Sequence, residues 1–150
     1  MQDAIEGELA VELCLRSAAP SVARGRQDRV ADRVAELESR GVVADAAVTY
    51  WNTRVCIPGS DAGPADRCPR VVGEVLDAVE GRDVSIEPYF RRREASHDAD
   101  ECVLSLPVIC LLLREGGDLR GVYPVTEGDE RHTVADGLDR LERGEPARNL

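Results

Sequence analysis

Cysteine and arginine side chains are the strongest candidates for reactive chemistry in this sequence. Two predicted strands each carry a thiol and a guanidinium on one face, Cys14 with Arg16 and Cys56 with Arg54. A neighbouring cation lowers the pKa of a thiol, so these strands, lying side by side, would form a redox or anion-binding patch. The alternative interpretation is that both cysteines are small buried hydrophobic residues. The sequence does not define the strand register that separates the two.

Tyr50 and Asn52 extend the same polar face of the second strand. We therefore predict a ligand-binding or interface face there. Its candidate residues are Cys14, Arg16, Tyr50, Asn52, Arg54 and Cys56.

Arginine clusters provide a second candidate site, because guanidinium groups bind phosphates and other anions. One cluster is the only run of three basic residues, and the other recurs along the first predicted helix. Their members are Arg91, Arg92, Arg93, Arg26, Arg29 and Arg33. The alternative is that these arginines pair with neighbouring carboxylates.

The composition excludes several enzyme classes. The 19 basic residues are all arginine, against 29 acidic residues and a net charge of −10. Without lysine, the chain has no Schiff-base, P-loop or kinase lysine, and it lacks the usual dinucleotide, nucleophile-elbow and zincin motifs. We predict a protein that is not an enzyme and uses no cofactor. An acidic surface paired only with arginine is typical of a halophilic cytoplasm.

Metal ligands are poorly organised in the sequence. The five cysteines lack zinc-binding spacing, and the acidic loop at 96–101, which includes His97, does not match a calcium loop. We predict a solvated loop and no metal site. His132 is predicted to lie on the surface.

Hydrophobic periodicity predicts an α+β fold in a single domain over 1–143, with a frayed tail at 144–150. Gly116 and Gly117 mark a hairpin, and Thr133 begins the last helix with a capping box. The predicted strands are 8–17, 48–57, 84–91, 102–114 and 119–125, and the predicted helices are 22–40, 66–80 and one from 133 onward.

The order β-α-β-α-β-β-β-α suggests a two-layer sandwich with a ferredoxin-like start and helices on one face. The other face would then expose a partly apolar surface, which predicts a homodimer. The alternative is that the C-terminal helix covers that face. No segment is long and apolar enough to span a membrane, since the longest uncharged run covers only 102–113.

Four segments resemble one family. They are Val11–Ser17, the stretch from Gly41 to Cys56, Ile86–Arg91 and Leu104–Pro107. Together they are similar to small haloarchaeal proteins labelled as containing a helix-turn-helix domain or as uncharacterised. The resemblance implies a transcription-related role and no catalytic residue.

These observations favour a non-enzymatic halophilic regulatory protein that acts near DNA, by binding DNA itself or a DNA-binding protein. The alternative is a protein-interaction or small-ligand domain that does not bind nucleic acid. Only one helix is predicted before the Trp51 strand, whereas a helix-turn-helix needs a pair.

We expect the fold to be most stable at high salt. Repulsion among 29 carboxylates weakens as the Debye length falls to about 3 Å at molar salt. Circular dichroism across a salt series should therefore give a melting temperature that rises with salt. A fully native chain with an unchanged melting temperature in dilute buffer would contradict this prediction.

Overall fold

The computed structural model describes residues 9–52, 54–58, 70–86, 89–94 and 101–150. Its helices are α1 (Ser21–Ser39), α2 (Arg70–Val79) and α3 (Val134–Arg143). Its strands are β1 (Ala10–Arg16), β2 (Asp45–Trp51), β3 (Arg54–Pro58), β4 (Val84–Ser85), β5 (Arg91–Glu94), β6 (Glu101–Ser105), β7 (Ile109–Glu115), β8 (Asp118–Tyr123), β9 (Val125–Glu127) and β10 (Glu130–His132). The predicted α+β class is confirmed.

A four-stranded central sheet has the order β2-β1-β7-β8. Helix α1 connects β1 to β2, and these strands pair in parallel as direct neighbours. The other pairings in this sheet are antiparallel. The predicted ferredoxin-like order is not confirmed, because that order places another strand between the two that α1 connects.

Both faces of the central sheet are covered. We call the cluster beneath α1 and α3 core 1; its members include Leu13, Leu37, Leu111, Tyr123 and Leu138. We call the cluster on the opposite face core 2; its members include Cys14, Val72, Phe90, Cys110 and Leu112. The prediction that helices cover only one face is wrong, because α2 contributes to core 2 while α1 and α3 contribute to core 1.

Two predicted strands are each divided between sheets. The segment 48–57 contains the end of β2 and most of β3, and β3 pairs with β6. The segment 102–114 contains β6 and β7, with 106–108 between them. At the second division Leu106 stays buried as the chain leaves one sheet for another, so the hydrophobic run continues through it.

Two three-stranded sheets accompany the central one, with the orders β3-β6-β5 and β10-β9-β4. The predicted strand at 84–91 contributes to both, since β4 pairs with β9 and β5 pairs with β6. Residues 87 and 88 of that prediction lie outside the described residues.

The helix predictions are confirmed where the chain is described. In α1, Val34 and Leu37 are buried in core 1, at the helical spacing that predicts them. The Thr133 side chain accepts a hydrogen bond from the Asp136 amide, and the Asp136 carboxylate accepts one from the Thr133 amide. This capping box begins α3 where the sequence predicts it.

The hairpin at Gly116 and Gly117 is also confirmed. Both residues adopt positive φ, at 63° and 88°, which suits a tight connection between antiparallel strands. No helix within the described ranges is long and apolar enough to cross a membrane.

The C-terminal tail packs against the sheet rather than fraying. Ala147 is buried in core 1, and the Asn149 side chain bonds both the amide and the carbonyl of Val122 at 3.0 Å. The amides of Asn149 and Leu150 donate to the Arg120 carbonyl. These contacts are mostly polar, so the hydrophobic pattern contains no sign of them.

Close packing of α3 on β8 gives a stability test. A Cβ atom at Gly137 would lie 2.9 Å from Cγ and Cδ1 of the fully buried Tyr123 ring. We expect Gly137→Ala to lower the free energy of unfolding by about 1–3 kcal/mol through overpacking. Denaturant unfolding at fixed high salt measures the change.

Gly73→Ala in α2 is the matched control. A Cβ atom there has no described neighbour within 4 Å, so the better helix propensity of alanine should leave stability unchanged or raise it by up to about 1 kcal/mol. Equal losses in the two variants would contradict the packing explanation.

Candidate functional site

The predicted thiol and guanidinium patch is not assembled in one sheet. Cys14 lies in β1 of the central sheet, whereas Arg54 and Cys56 belong to β3, which pairs with β6. The strand beside β1 is β2, and it ends at Trp51. The side chains of Arg54 and Cys56 lie outside what the structure describes. The strand pairing by itself shows that β1 and β3 are not neighbours in one sheet.

The surroundings of Cys14 disfavour the reactive thiolate form. It lies directly across the ladder from Cys110, and both thiols are fully buried in core 2. Burial, together with the nearby Glu12 carboxylate, raises the pKa of Cys14 to about 12, and burial raises that of Cys110 as well. The expected lowering of the thiol pKa is therefore wrong, and the interpretation as small buried hydrophobic residues holds for Cys14.

Arg16 has a structural role at the end of β1. One of its terminal nitrogens donates to the Leu106 carbonyl, while its own carbonyl accepts from the Gln27 amide at 3.0 Å. The same Gln27 nitrogen also donates to the Val108 carbonyl at 3.0 Å. Buried Gln27 thus joins α1 to β1 and to the segment before β7.

Tyr50 and Cys14 occupy opposite faces of the central sheet. Tyr50 pairs with Leu15, whose side chain belongs to core 1, whereas Cys14 belongs to core 2. Tyr50 is 65% exposed on the edge strand, near Val48 at 45%, and Asn52 is exposed just beyond the strand. The prediction that these residues share one face is therefore wrong. The homodimer prediction rests on an uncovered sheet face, and both faces of the central sheet are covered.

The C-terminal helix does not cover the Cys14 face either. Val134, Leu138 and Leu141 of α3 all belong to core 1. The alternative to dimerisation, in which this helix covers the polar face of β1, is therefore also wrong.

Helix α1 carries a stripe of arginines along one flank. Arg26, Arg33 and Arg40 are seven residues apart, and Arg29 lies between the first two, so all four fall on one side of the helix. Asp28, Asp32 and Glu36 follow the adjacent flank in steps of four. Apart from Arg24, which begins the acidic row four residues before Asp28, the helix separates its charges laterally.

The arginines of this stripe differ in their partners. Arg33 is half-buried and bridges to α3 through Asp139 at 2.9 Å and Glu142 at 3.1 Å. Arg26 and Arg29 are exposed, and within the described residues neither side chain has a hydrogen bond or ion pair. The sequence therefore places the three residues correctly on one helix surface, whereas the predicted alternative of carboxylate pairing applies to Arg33.

The same three arginines border a groove of about 740 Å³ between α1, the start of α3 and the segment before β7. Its other described lining residues are Val30, Tyr89, Pro107, Val108, Ile109, Pro124, Thr133, Val134 and Ala135. Most of these side chains are apolar. The groove combines a cationic rim with an apolar floor, and no pattern in the sequence reveals it because its walls come from distant segments.

Arg91, Arg92 and Arg93 form most of β5, which lies at the edge of its sheet. Their side chains lie outside the described part of the structure, so their role as anion contacts stays a prediction. The acidic loop with His97 also lies largely outside it. Among the residues that are described, no histidine, cysteine and carboxylate cluster suits a metal ion.

His132 is buried rather than exposed as predicted. Arg140 lies 3.3 Å from Nδ1, and Glu127 lies 3.3 Å from Nε2. Because arginine only donates, a hydrogen bond with Arg140 requires Nδ1 to be the acceptor. The arginine occupies the position from which the imidazole would take a proton, so His132 is not placed as a general base.

A polar network that the sequence does not reveal lies beside Cys14. Arg114 donates to Glu12 at 3.0 Å and to Glu74 at 2.7 Å, and the Thr49 hydroxyl donates to Glu12 at 2.7 Å. The network joins β1, β2, β7 and α2. In the sequence, the network is indicated only by Glu12, a charged residue on a strand face that the fold covers.

Comparison with known families gives one match. A family model described as a helix-turn-helix domain matches residues 3–146. No curated protein and no solved structure matches the chain.

The Arg114 network predicts a pH-dependent contribution to stability. The hydrogen bond from Arg114 lowers the pKa of Glu74, so the carboxylate stabilises the fold above its unfolded-state pKa and the contribution is lost as pH falls through the lower folded-state pKa. We expect Glu74→Gln to be less stable than the natural chain at pH 7, with a difference that shrinks toward pH 3. Unfolding free energies across this range measure it.

Glu80→Gln is the control for this comparison. Glu80 is an exposed residue just after α2, and its side chain has no partner in the described part of the chain. Its substitution should give a small difference with little pH dependence. A pH-independent loss in Glu74→Gln would contradict the role of the ion pair.

Proposed function

The chain belongs to the helix-turn-helix domain family, and from that membership we propose that it is a non-enzymatic regulatory protein that binds DNA. In this proposal, arginines in the first half of α1 contact the phosphate backbone. They are Arg24, Arg26 and Arg29. The proposal includes a halophilic, cytoplasmic setting, which agrees with the acidic and lysine-free composition.

The observation that carries this proposal is that unpaired arginines cluster in the first half of α1. Arg33, Arg114 and Arg148 bind carboxylates at 2.7 to 3.0 Å, as expected in so acidic a chain. Within the described residues, the side chains of Arg24, Arg26 and Arg29 have no partner although all three are exposed. These three unpaired guanidinium groups lie within six residues, Arg26 and Arg29 on one flank of α1 and Arg24 on the opposite flank, and all three are available for phosphate oxygens.

The net charge of −10 opposes DNA binding at long range. At molar salt this repulsion is screened beyond about 3 Å, whereas a direct guanidinium–phosphate contact acts within that distance, although it too weakens as salt rises. The first turn of α1 also lacks acidic residues, so the helix dipole adds a favourable field for an anion at that end. Short-range contacts from this half of α1 therefore support binding in concentrated salt.

The proposed contact reads the backbone rather than the base sequence. Within the described residues, α1 and α2 are separated by β2 and β3, so these two helices do not form a short helix-turn-helix pair. Phosphate contacts position a protein on DNA without selecting a sequence. Arg91, Arg92 and Arg93 remain proposed additional contacts from the edge strand β5.

A second candidate function is binding of a small ligand without nucleic acid. The groove between α1 and α3 favours it, because 740 Å³ lies within the usual range of small-molecule sites. The two functions involve different residues of α1: Arg24 is a proposed phosphate contact but does not line the groove.

We expect the variant Arg24→Ala/Arg26→Ala/Arg29→Ala to bind DNA at least about tenfold more weakly than the natural chain. The slope of log affinity against log salt should fall by roughly three, since each lost phosphate contact removes about one unit. Fluorescence polarisation with labelled genomic duplexes across a salt series measures both quantities.

The control variant Arg82→Ala/Arg131→Ala/Arg143→Ala removes the same charge from other exposed arginines that lack a partner in the described part of the chain. It should retain most of the affinity. Equal weakening in the two variants would show a net-charge effect without an α1 interface. Absence of DNA binding by the natural chain at every salt concentration would overturn the proposed function.

A further inference from the structure

We infer that the groove between α1 and α3 binds an organic carboxylate with an apolar body, and that this ligand competes with DNA for Arg26 and Arg29. The ligand site is inferred from the groove itself. The competition rests on the proposed function. The ligand class is an aromatic or aliphatic monocarboxylic acid.

The charge distribution of the groove selects an anion. All the charged residues among its described lining are arginines, namely Arg26, Arg29 and Arg33. Asp139 and Glu142 already neutralise Arg33, so that within the described ranges Arg26 and Arg29 are the free cations at the rim. They are three positions apart on α1 and therefore neighbours, so their planar donor groups can converge on one carboxylate.

The remaining lining selects an apolar body. Val30 and Ile109 of the groove wall also pack against core 1, and Pro107 and Val108 continue the apolar surface between them. Tyr89 adds an aromatic ring. A hydrated inorganic anion would leave this surface uncovered, whereas an acid with an attached ring or chain would bury it.

The floor of the groove is held in place by backbone contacts. The Pro107 carbonyl accepts from the Trp51 indole at 3.1 Å. The Val108 carbonyl accepts from the Arg16 amide and from the Gln27 side chain, each at 3.0 Å. With their carbonyls engaged in these contacts, the two residues present a largely preformed apolar surface, as small-molecule sites usually do.

The two walls are also joined to each other. Arg33 of α1 bonds Asp139 and Glu142 of α3 across the groove end. This bridge fixes the distance between the helices while leaving the Arg26 end free. A carboxylate is therefore expected near the first half of α1, and its apolar body between the helices.

The test uses 1-naphthoate as the probe and its neutral isostere 1-naphthamide as the matched ligand control. Equilibrium dialysis with the full chain at fixed molar salt measures both affinities. We expect naphthoate to bind at least about tenfold more tightly than the amide, which corresponds to about 1.4 kcal/mol. Equal affinities, or no binding of naphthoate, would overturn the inference.

Two groove variants and one control variant locate the site. Arg26→Ala/Arg29→Ala should lose the preference for naphthoate over the amide, whereas Arg24→Ala should keep it because Arg24 lies outside the groove. Ala135→Trp should fill the groove and abolish binding of both probes; Ala135 is exposed at the start of α3, so the substitution leaves the cores intact. Unchanged naphthoate binding in either groove variant would overturn the inference.

Competition with DNA separates the failure of this inference from that of the proposed function. Saturating naphthoate should weaken DNA binding by the natural chain at least about tenfold and leave that of Ala135→Trp unchanged. Selective naphthoate binding by a chain that binds no DNA would support the anion site and overturn the DNA function. DNA binding without naphthoate binding would do the reverse.

Discussion

The antiparallel pairing of β1 with β7 is the contact on which both cores depend. Leu13 and Leu111 lie opposite each other and enter core 1, while the neighbouring pair of Cys14 and Cys110 enters core 2. Because side chains alternate along a strand, one pair of strands supplies two hydrophobic layers. A polar residue on these strands is then stabilised by a partner within the fold, as Glu12 is by the partly buried Arg114.

The sequence predicts the helices better than the sheets, for a physical reason. Helix contacts and caps are local, so the Val34 and Leu37 spacing and the Thr133 cap are visible within a few residues. The strand divisions after Trp51 and at 106–108 depend instead on which distant strand each half meets. Polar residue types also make the Cys14 face look solvent-exposed, because the contact between Glu12 and Arg114 spans about a hundred positions.

The candidate site shows the same limit. Helical spacing alone places Arg26, Arg29 and Arg33 on one flank. It does not distinguish a paired arginine from a free one, because that difference depends on where the carboxylates of α3 lie. The groove is likewise invisible in the sequence, since α1, the segment before β7 and the start of α3 meet only in the folded chain.

Packing at the buried residue Gly137 affects the width of the groove at the surface. The absence of a side chain there lets α3 rest directly on the Tyr123 ring. Since α3 also forms one wall of the groove, the thickness of that buried contact helps to define how far apart the walls stand. The residue at this one interior position thus sets a spacing. Related proteins with a larger residue there are expected to have grooves of a different width, suited to ligands of a different size.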